Sequence, residues 1–280
     1  MRKDYYTQNK HYILDIVKKK GFMSTIDIEN LLYELKEEKL VSIGLTSNDF
    51  LLKLLDDGLA IYSVKIRNII KARYILSEKF DIYDFAYSLE NRSFFPMFTA
   101  LNIQKLSDFR DNFVFVSKER SQRTSFKSKD IKQEAIDVAF SKKPRLTQAR
   151  DKINGFNLVV LESNNTEEFE IIEYANYKVS SVNRAFVEII SNIQYFKSPE
   201  DVIEQFSAIY DEFDLDKIYE VIKRFDFVYP YYQLAGYYLE QIGYDRTELY
   251  KFHKKKSKLK FYTIKNKESY SFDEYWNIYY

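Results

Sequence analysis

Cysteine is absent from all 280 residues, which excludes disulfides, thiolate metal sites and a cysteine nucleophile. That absence fits a reducing compartment. The amino-terminal MRKDYYTQNKHY has no apolar core of a signal peptide, and no apolar run reaches bilayer length, so a cytoplasmic chain without a membrane segment is expected. Histidine occurs twice, at His11 and His253, and neither has a second ligand at metal-site spacing. The six glycines form no Gly-x-Gly, P-loop or Gly-x-Ser-x-Gly arrangement, so neither a phosphate cradle nor a serine elbow is written here. No metal, no cofactor and no catalysis are expected. Charge of one sign is not in excess either, since the formal net charge is +1.

What the chain has in abundance is aromatic residues, 25 Tyr and 23 Phe, spread without a single motif. That spread reads as core and surface filling rather than as a base-stacking platform. The hydrophobic content, 45%, suffices for a sizeable core.

Along the chain, apolar spacing predicts three helices followed by a hairpin. Residues 4–20 place Tyr6, Ile13, Ile16 and Val17 on one face, with Gly21 as the stop. Ser24–Asp27 has the form of a capping box before Ile28, Leu31, Leu32 and Leu35. Thr46 or Ser47 caps a third helix with Phe50, Leu51, Leu54 and Leu55 inward and Gly58 after it. The period then changes to that of strands, residues 59–66 and 69–76 around Arg67-Asn68. Three short helices and a hairpin make a winged helix-turn-helix, assigned to residues 1–78. Its DNA-contacting candidates are Ser47, Asn48 and Lys53 on the third helix and Lys65, Arg67, Lys71 and Arg73 at the hairpin tip. Asp49, Asp56 and Asp57 beside that helix weaken the electrostatic case, and such modules also dock proteins.

Residues 79–280 read as a mixed α/β domain with a small sheet and several helices, so the expected class is α+β. A linking helix falls in 79–93. Pro96 opens a helix bearing Met97, Ala100, Leu101 and Ile103, and residues 112–117 form a buried strand. Ile131, Ala135, Val138 and Ala139 mark an amphipathic helix. Residues 157–161 and 168–174 read as strands joined by Ser-Asn-Asn-Thr. Within the second of these, alternation sets Glu168 and Glu170 on a solvent face; the other reading, carboxylates of a divergent metal-dependent nuclease together with Glu173, lacks the following lysine. From residue 198 the chain is mainly helical, with Ser198 and Pro199 opening one helix and Gly243 closing another. Two basic segments stand out. Residues 118–152 carry 11 cations against 5 acids, and residues 246–267 nine against one. The first is a solvated face, or a surface for phosphate or an acidic partner; the second surrounds a strand expected at residues 259–264.

Two patches resemble the AbiEi-type antitoxins of abortive-infection systems. One is Pro96–Leu101 through Leu106 followed by Phe113–Val116; the other is Val179–Ala185 with Glu188, in which Asn183 replaces the family's glutamate before Arg184. The resemblance implies a DNA-binding autorepressor that counters a nucleotidyltransferase-like toxin in phage defence, with operator DNA and the toxin as partners. It also singles out Arg184 and Glu188, at i and i+4 on one helix face, for a part in antitoxin action. The competing expectation for Arg184 is a scaffold that holds backbone carbonyls. The competing function is a non-catalytic interaction scaffold whose winged helix docks a partner.

Overall fold

The computed structural model describes residues 4–77, 79–107, 109, 112–122 and 131–280, so residues 123–130 of the first basic segment lie outside the described residues. The fold is α+β, in two compact units: residues 1–91 with 148–160, and residues 92–147 with 161–280.

The first unit begins with α1 (Tyr5–Lys20), α2 (Thr25–Glu37) and α3 (Ser47–Asp56). Each start is set by a side-chain cap, from Asp4, Ser24 and Thr46, which satisfies amide groups the helix leaves open. At α2 the full capping box forms: Asp27 N–H donates to Ser24 Oγ, and the Ser24 N–H donates to Asp27 Oδ2 at 2.7 Å. Ile13, Val17, Ile28, Leu31, Leu35, Phe50 and Leu54 interlock as its core. The strands β1 (Ala60–Ile66) and β2 (Ile69–Ile75) pair antiparallel from Ala60–Ile75 to Ile66–Ile69. A bridge from Met23 to Tyr74 ties the hairpin to the loop before α2.

This unit is larger than the 1–78 span expected from sequence. It takes in α4 (Ile82–Ser88), and Phe22, Tyr62, Phe80 and Phe85 close an aromatic cluster against it, Tyr62 and Phe80 at 4.6 Å. It also takes in the hairpin of β4 (Arg150–Ile153) with the start of β5 (Phe156–Ser163), turned by Asn154 and Gly155 at positive φ. Asp151 on β4 accepts the Lys65 N–H of β1 at 2.6 Å.

In the second unit come α5 (Met97–Ile103), β3 (Phe113–Glu119) and α6 (Gln133–Phe140). Then β6 (Ile171–Tyr174) pairs with β7 (Tyr177–Ser180) antiparallel, and α7 (Val182–Ser191) follows. The helices α8 (Pro199–Ser207), α9 (Leu215–Phe225), α10 (Tyr231–Ile242) and α11 (Tyr250–Lys254) precede the short strands β8 (Phe261–Tyr262), β9 (Phe272–Asp273) and β10 (Ile278–Tyr279), ordered β8-β10-β9. The core centres on α7, which is buried from Val182 to Ile190, and on a run of rings around it, Phe98, Phe186, Phe196 and Phe206.

Four expectations change here. Residues 157–161 and 168–174 do not form one hairpin: β5 pairs with β4, and β6 pairs with β7. Glu167, Glu168 and Glu170 take positive φ, so the alternating stretch before Ile171 is turn, not strand. In α6 the inward residues are Ile136 and Phe140, whereas Val138 is 53% exposed. The pattern was one step out of phase. Pro96 stands at the N-cap of α5, just before the first turn rather than in it.

Candidate functional site

The surface of the first unit is built by the start of α3 and the tip of the β1–β2 hairpin. Asn48 is exposed and Ser47 half-buried, both in the first turn of α3 after the Thr46 cap. Asp49 is held by that cap, its carboxylate accepting the Thr46 hydroxyl at 2.7 Å. Asp57, at the far end, is taken by Tyr6 at 2.8 Å and by Lys10. Burial raises this carboxyl, but the bonds from Lys10 and the Tyr6 hydroxyl outweigh it and bring it below the usual range. Lys53 pairs with Asp4 at 3.2 Å and lies over the Tyr6 ring.

At the hairpin, Lys65 and Arg67 project into solvent, Arg67 from a left-handed turn residue with φ 57°. Lys71 and Arg73 do not join them. Lys71 binds Glu90 and the Leu89 carbonyl, and Arg73 donates Nε and Nη2 to the Ser88 carbonyl at 3.0 and 2.6 Å. Their register on β2 turns them toward the end of α4, where each closes carbonyls that the helix leaves open. Of the seven residues singled out, four (Ser47, Asn48, Lys65 and Arg67) thus keep side chains without an ion pair among the described residues, although the Lys65 N–H donates to Asp151. The first unit also exposes Ile43, Leu52, Ile61, Ile69 and Ile70, from 51% to 84%.

Arg184 lies in the second unit, at the first turn of α7, and is fully buried. Its guanidinium donates Nε to Glu188 at 2.8 Å and Nη1 to Glu119, Thr166 Oγ1 and the Phe169 carbonyl at 3.0, 2.8 and 2.8 Å. The rings of Phe94 and Phe225 stand on it at 4.9 and 5.1 Å. Glu188 in turn accepts the Ser180 hydroxyl at 2.8 Å and the Met97 N–H at 3.1 Å. Met97 is a left-handed residue, φ 54°, so this carboxylate holds a strained corner at the start of α5. Burial raises the Glu119 carboxyl, but bonds from the Thr166 hydroxyl and the Glu168 N–H, with the Arg184 charge, bring it below the ordinary range.

The i, i+4 pair is therefore real, but it is not a surface feature. With no exposure, Arg184 joins β3, the 163–169 loop and α7, and through Glu188 also β7. Asn183 beside it accepts the Asp214 N–H at 2.8 Å and so docks the start of α9. The three glutamates of the nuclease reading are not gathered. Glu168 pairs with Lys178, Glu170 binds the Ser181 hydroxyl and Lys217, and Glu173 stands exposed on β6. Among the described residues no group of three potential ligands is placed to hold a metal, and no helix is long and apolar enough to cross a membrane.

A cavity of about 350 Å³ opens beside this cluster, bounded by Met97, Arg120, Glu188, Phe225 and Tyr229. Sequence reasoning did not point to Glu119 or Thr166. Their one signal is a polar residue at the end of a buried strand and a threonine in a polar loop, and neither is distinctive without the fold.

No family model and no curated protein matches the chain. Among solved structures, the chain is similar to the crystal structure of the RV2827C protein from Mycobacterium tuberculosis, with TM-score 0.57 and 9% identity over 98% of this chain and 91% of that one. At that identity the likeness is one of fold, and it extends through both units.

Proposed function

We propose that the chain is a non-catalytic regulator of the AbiEi antitoxin kind, an autorepressor that counters a nucleotidyltransferase-like toxin. In this reading the first unit is a winged helix-turn-helix, with α3 in the major groove and the β1–β2 hairpin as wing. The observation that carries it is the exposure of Asn48 in the first turn of α3 together with the exposure of Lys65 and Arg67 near the turn of the following hairpin. Ser47 and Asn48 offer hydrogen bonds to base edges or phosphate, and the two cations offer phosphate contacts. Lys53, Lys71 and Arg73 act inside the unit instead, and Arg184 and Glu188 serve by holding the second unit in shape.

The footprint is small, because residues 1–91 contain 14 Lys and Arg against 14 Asp and Glu. With about two to four phosphates neutralised, the plot of log affinity against log salt should have a slope of roughly −2 to −4. Mobility shift with the DNA upstream of the gene, repeated with Lys65→Ala plus Arg67→Ala, tests this. The double variant should bind weakly with a slope flatter by about two. Equal binding by variant and parent would sink the wing assignment.

A second reading has its own observation. The exposed isoleucines at 43, 61, 69 and 70 and Leu52 suit an apolar partner better than a polyanion. A stable complex in pull-down that Ile69→Lys with Ile70→Lys abolishes, alongside no DNA binding at low salt, would favour a protein-docking module.

A further inference from the structure

The two basic segments left without a role by the preceding argument meet in the second unit, around a cavity of about 480 Å³. Lys142, Lys143 and Arg145, from the loop after α6, and Lys265, just beyond β8, all line it. No carboxylate lines the cavity, and none of these four cations forms an ion pair among the described residues. That differs from the usual solvated charge run, in which neighbouring acids interleave.

Much of the remaining lining is aromatic. Phe140 stacks on Tyr262 at 5.2 Å and meets Phe261 edge-on at 4.9 Å, while Tyr229 stacks on Phe261 at 5.5 Å. Lys265 Nζ lies 5.1 Å over the Phe140 ring, so one of the cations is in contact with the aromatic lining. A separate observation comes from Thr263. It lines the same cavity at 2% exposure, and its hydroxyl is buried without a hydrogen-bond partner. An unpaired buried hydroxyl is costly and uncommon, and a ligand acceptor would relieve it.

We propose that this cavity binds a nucleoside phosphate, the ring against the Phe140–Tyr229–Phe261–Tyr262 wall and the phosphates on Lys142, Lys143 and Arg145. Three cations within four residues exceed what one carboxylate needs and match a polyanion. The volume falls within the range of about 300–1,000 Å³ usual for small-ligand sites. Because these rings stack largely on one another, with Tyr279 on Tyr262 as well, they offer a base apolar contact and ring edges more than open faces. A free nucleotide and the terminal nucleotide of a single strand share this chemistry.

Calorimetric titration of the full chain tests the site with four probes at low salt: ATP, GTP, a ten-residue single-stranded oligonucleotide and inorganic pyrophosphate. We expect a nucleotide or the oligonucleotide to bind at least tenfold more tightly than pyrophosphate, which has no ring. Binding of the mononucleotides identifies a free nucleotide as the ligand, and binding of the oligonucleotide alone identifies a strand end. Lys143→Ala with Arg145→Ala should weaken binding at least tenfold; both side chains are exposed, so the fold is retained and circular dichroism checks it. Thr263→Val should weaken binding several-fold while leaving the unliganded melting temperature equal or higher. No binding by any probe at millimolar concentration, or binding that neither variant alters, overturns the proposal. Equal affinity for pyrophosphate overturns its aromatic half.

Discussion

Gly236 occupies the middle of α10, where glycine is normally a loss of about 1 kcal/mol against alanine. Here it is required. A Cβ at this position would overlap the six-membered ring of Trp276, with even Cε3 only 2.8 Å away. Trp276 is fully buried, and its indole N–H donates to Glu240 of the same helix. The backbone cannot give way without breaking that bond, so Gly236→Ala should destabilise by about 3 kcal/mol, the upper end for overpacking. Chemical denaturation of the full chain measures it, and a loss under about 0.5 kcal/mol would show that the ring repacks freely. A second residue-scale effect concerns Glu119. Its folded carboxyl titrates below the ordinary 4.5, so its contribution is present above that value and is lost as pH falls through the lower folded value. Melting temperatures between about pH 3 and 7 should therefore fall on the acid side in the parent. Glu119→Gln should melt lower at neutral pH but lose less on acidification.

At the scale of elements, the β1–β2 hairpin is a braced structure more than a free wing. Lys71 and Arg73 bind the end of α4, and Tyr62 packs with Phe80 and Phe85 on the same side. Arg73→Ala leaves the Ser88 carbonyl without its two donors, and a loss of about 1–3 kcal/mol follows. Arg67→Ala, at the exposed tip, should change stability by less than about 0.5 kcal/mol. Comparing the two by thermal melting separates the strap from the tip. If both variants melt with the parent, the brace carries no weight. The same contrast shows why basic residue type alone misplaced these side chains. Both cations sit in a strand of suitable composition, but the register decides which of them meets α4.

For the whole molecule, the division at residue 78 leaves out contacts that the first unit uses. A chain ending at Ser77 lacks Phe80, Phe85, Ser88 and Glu90, all of which touch the hairpin or the 22–23 loop. A chain ending at Asn91 should therefore melt cooperatively and at a higher temperature than one ending at Ser77, as followed by circular dichroism. Equal melting of the two would return the boundary to 78. Residues 148–160 complete the unit from a distance in sequence, through the Asp151 to Lys65 bond. No local signal in residues 148–160 announces that they belong with the first ninety.

Helix ends and turns are legible in the residues because their physics is local. The caps at Ser24 and Ser198, the stops at Gly21 and Gly243, and the hairpin turn at Arg67-Asn68 follow from neighbours within a few residues and stand in the fold, and of Thr46 and Ser47 it is Thr46 that caps α3. The tertiary structure decided everything that depends on which surfaces meet. It paired β6 with β7 rather than β5, because three glutamates in left-handed conformations turn the chain before Ile171. It buried Arg184 between two rings and two carboxylates, turning an i, i+4 pair into the knot of the second unit. It also brought Lys142, Lys143 and Arg145 to one cavity with Lys265, over more than a hundred residues of chain. Charge and periodicity mark such residues as polar or apolar, but they hold no distance between segments, and the function of these groups depends on that distance.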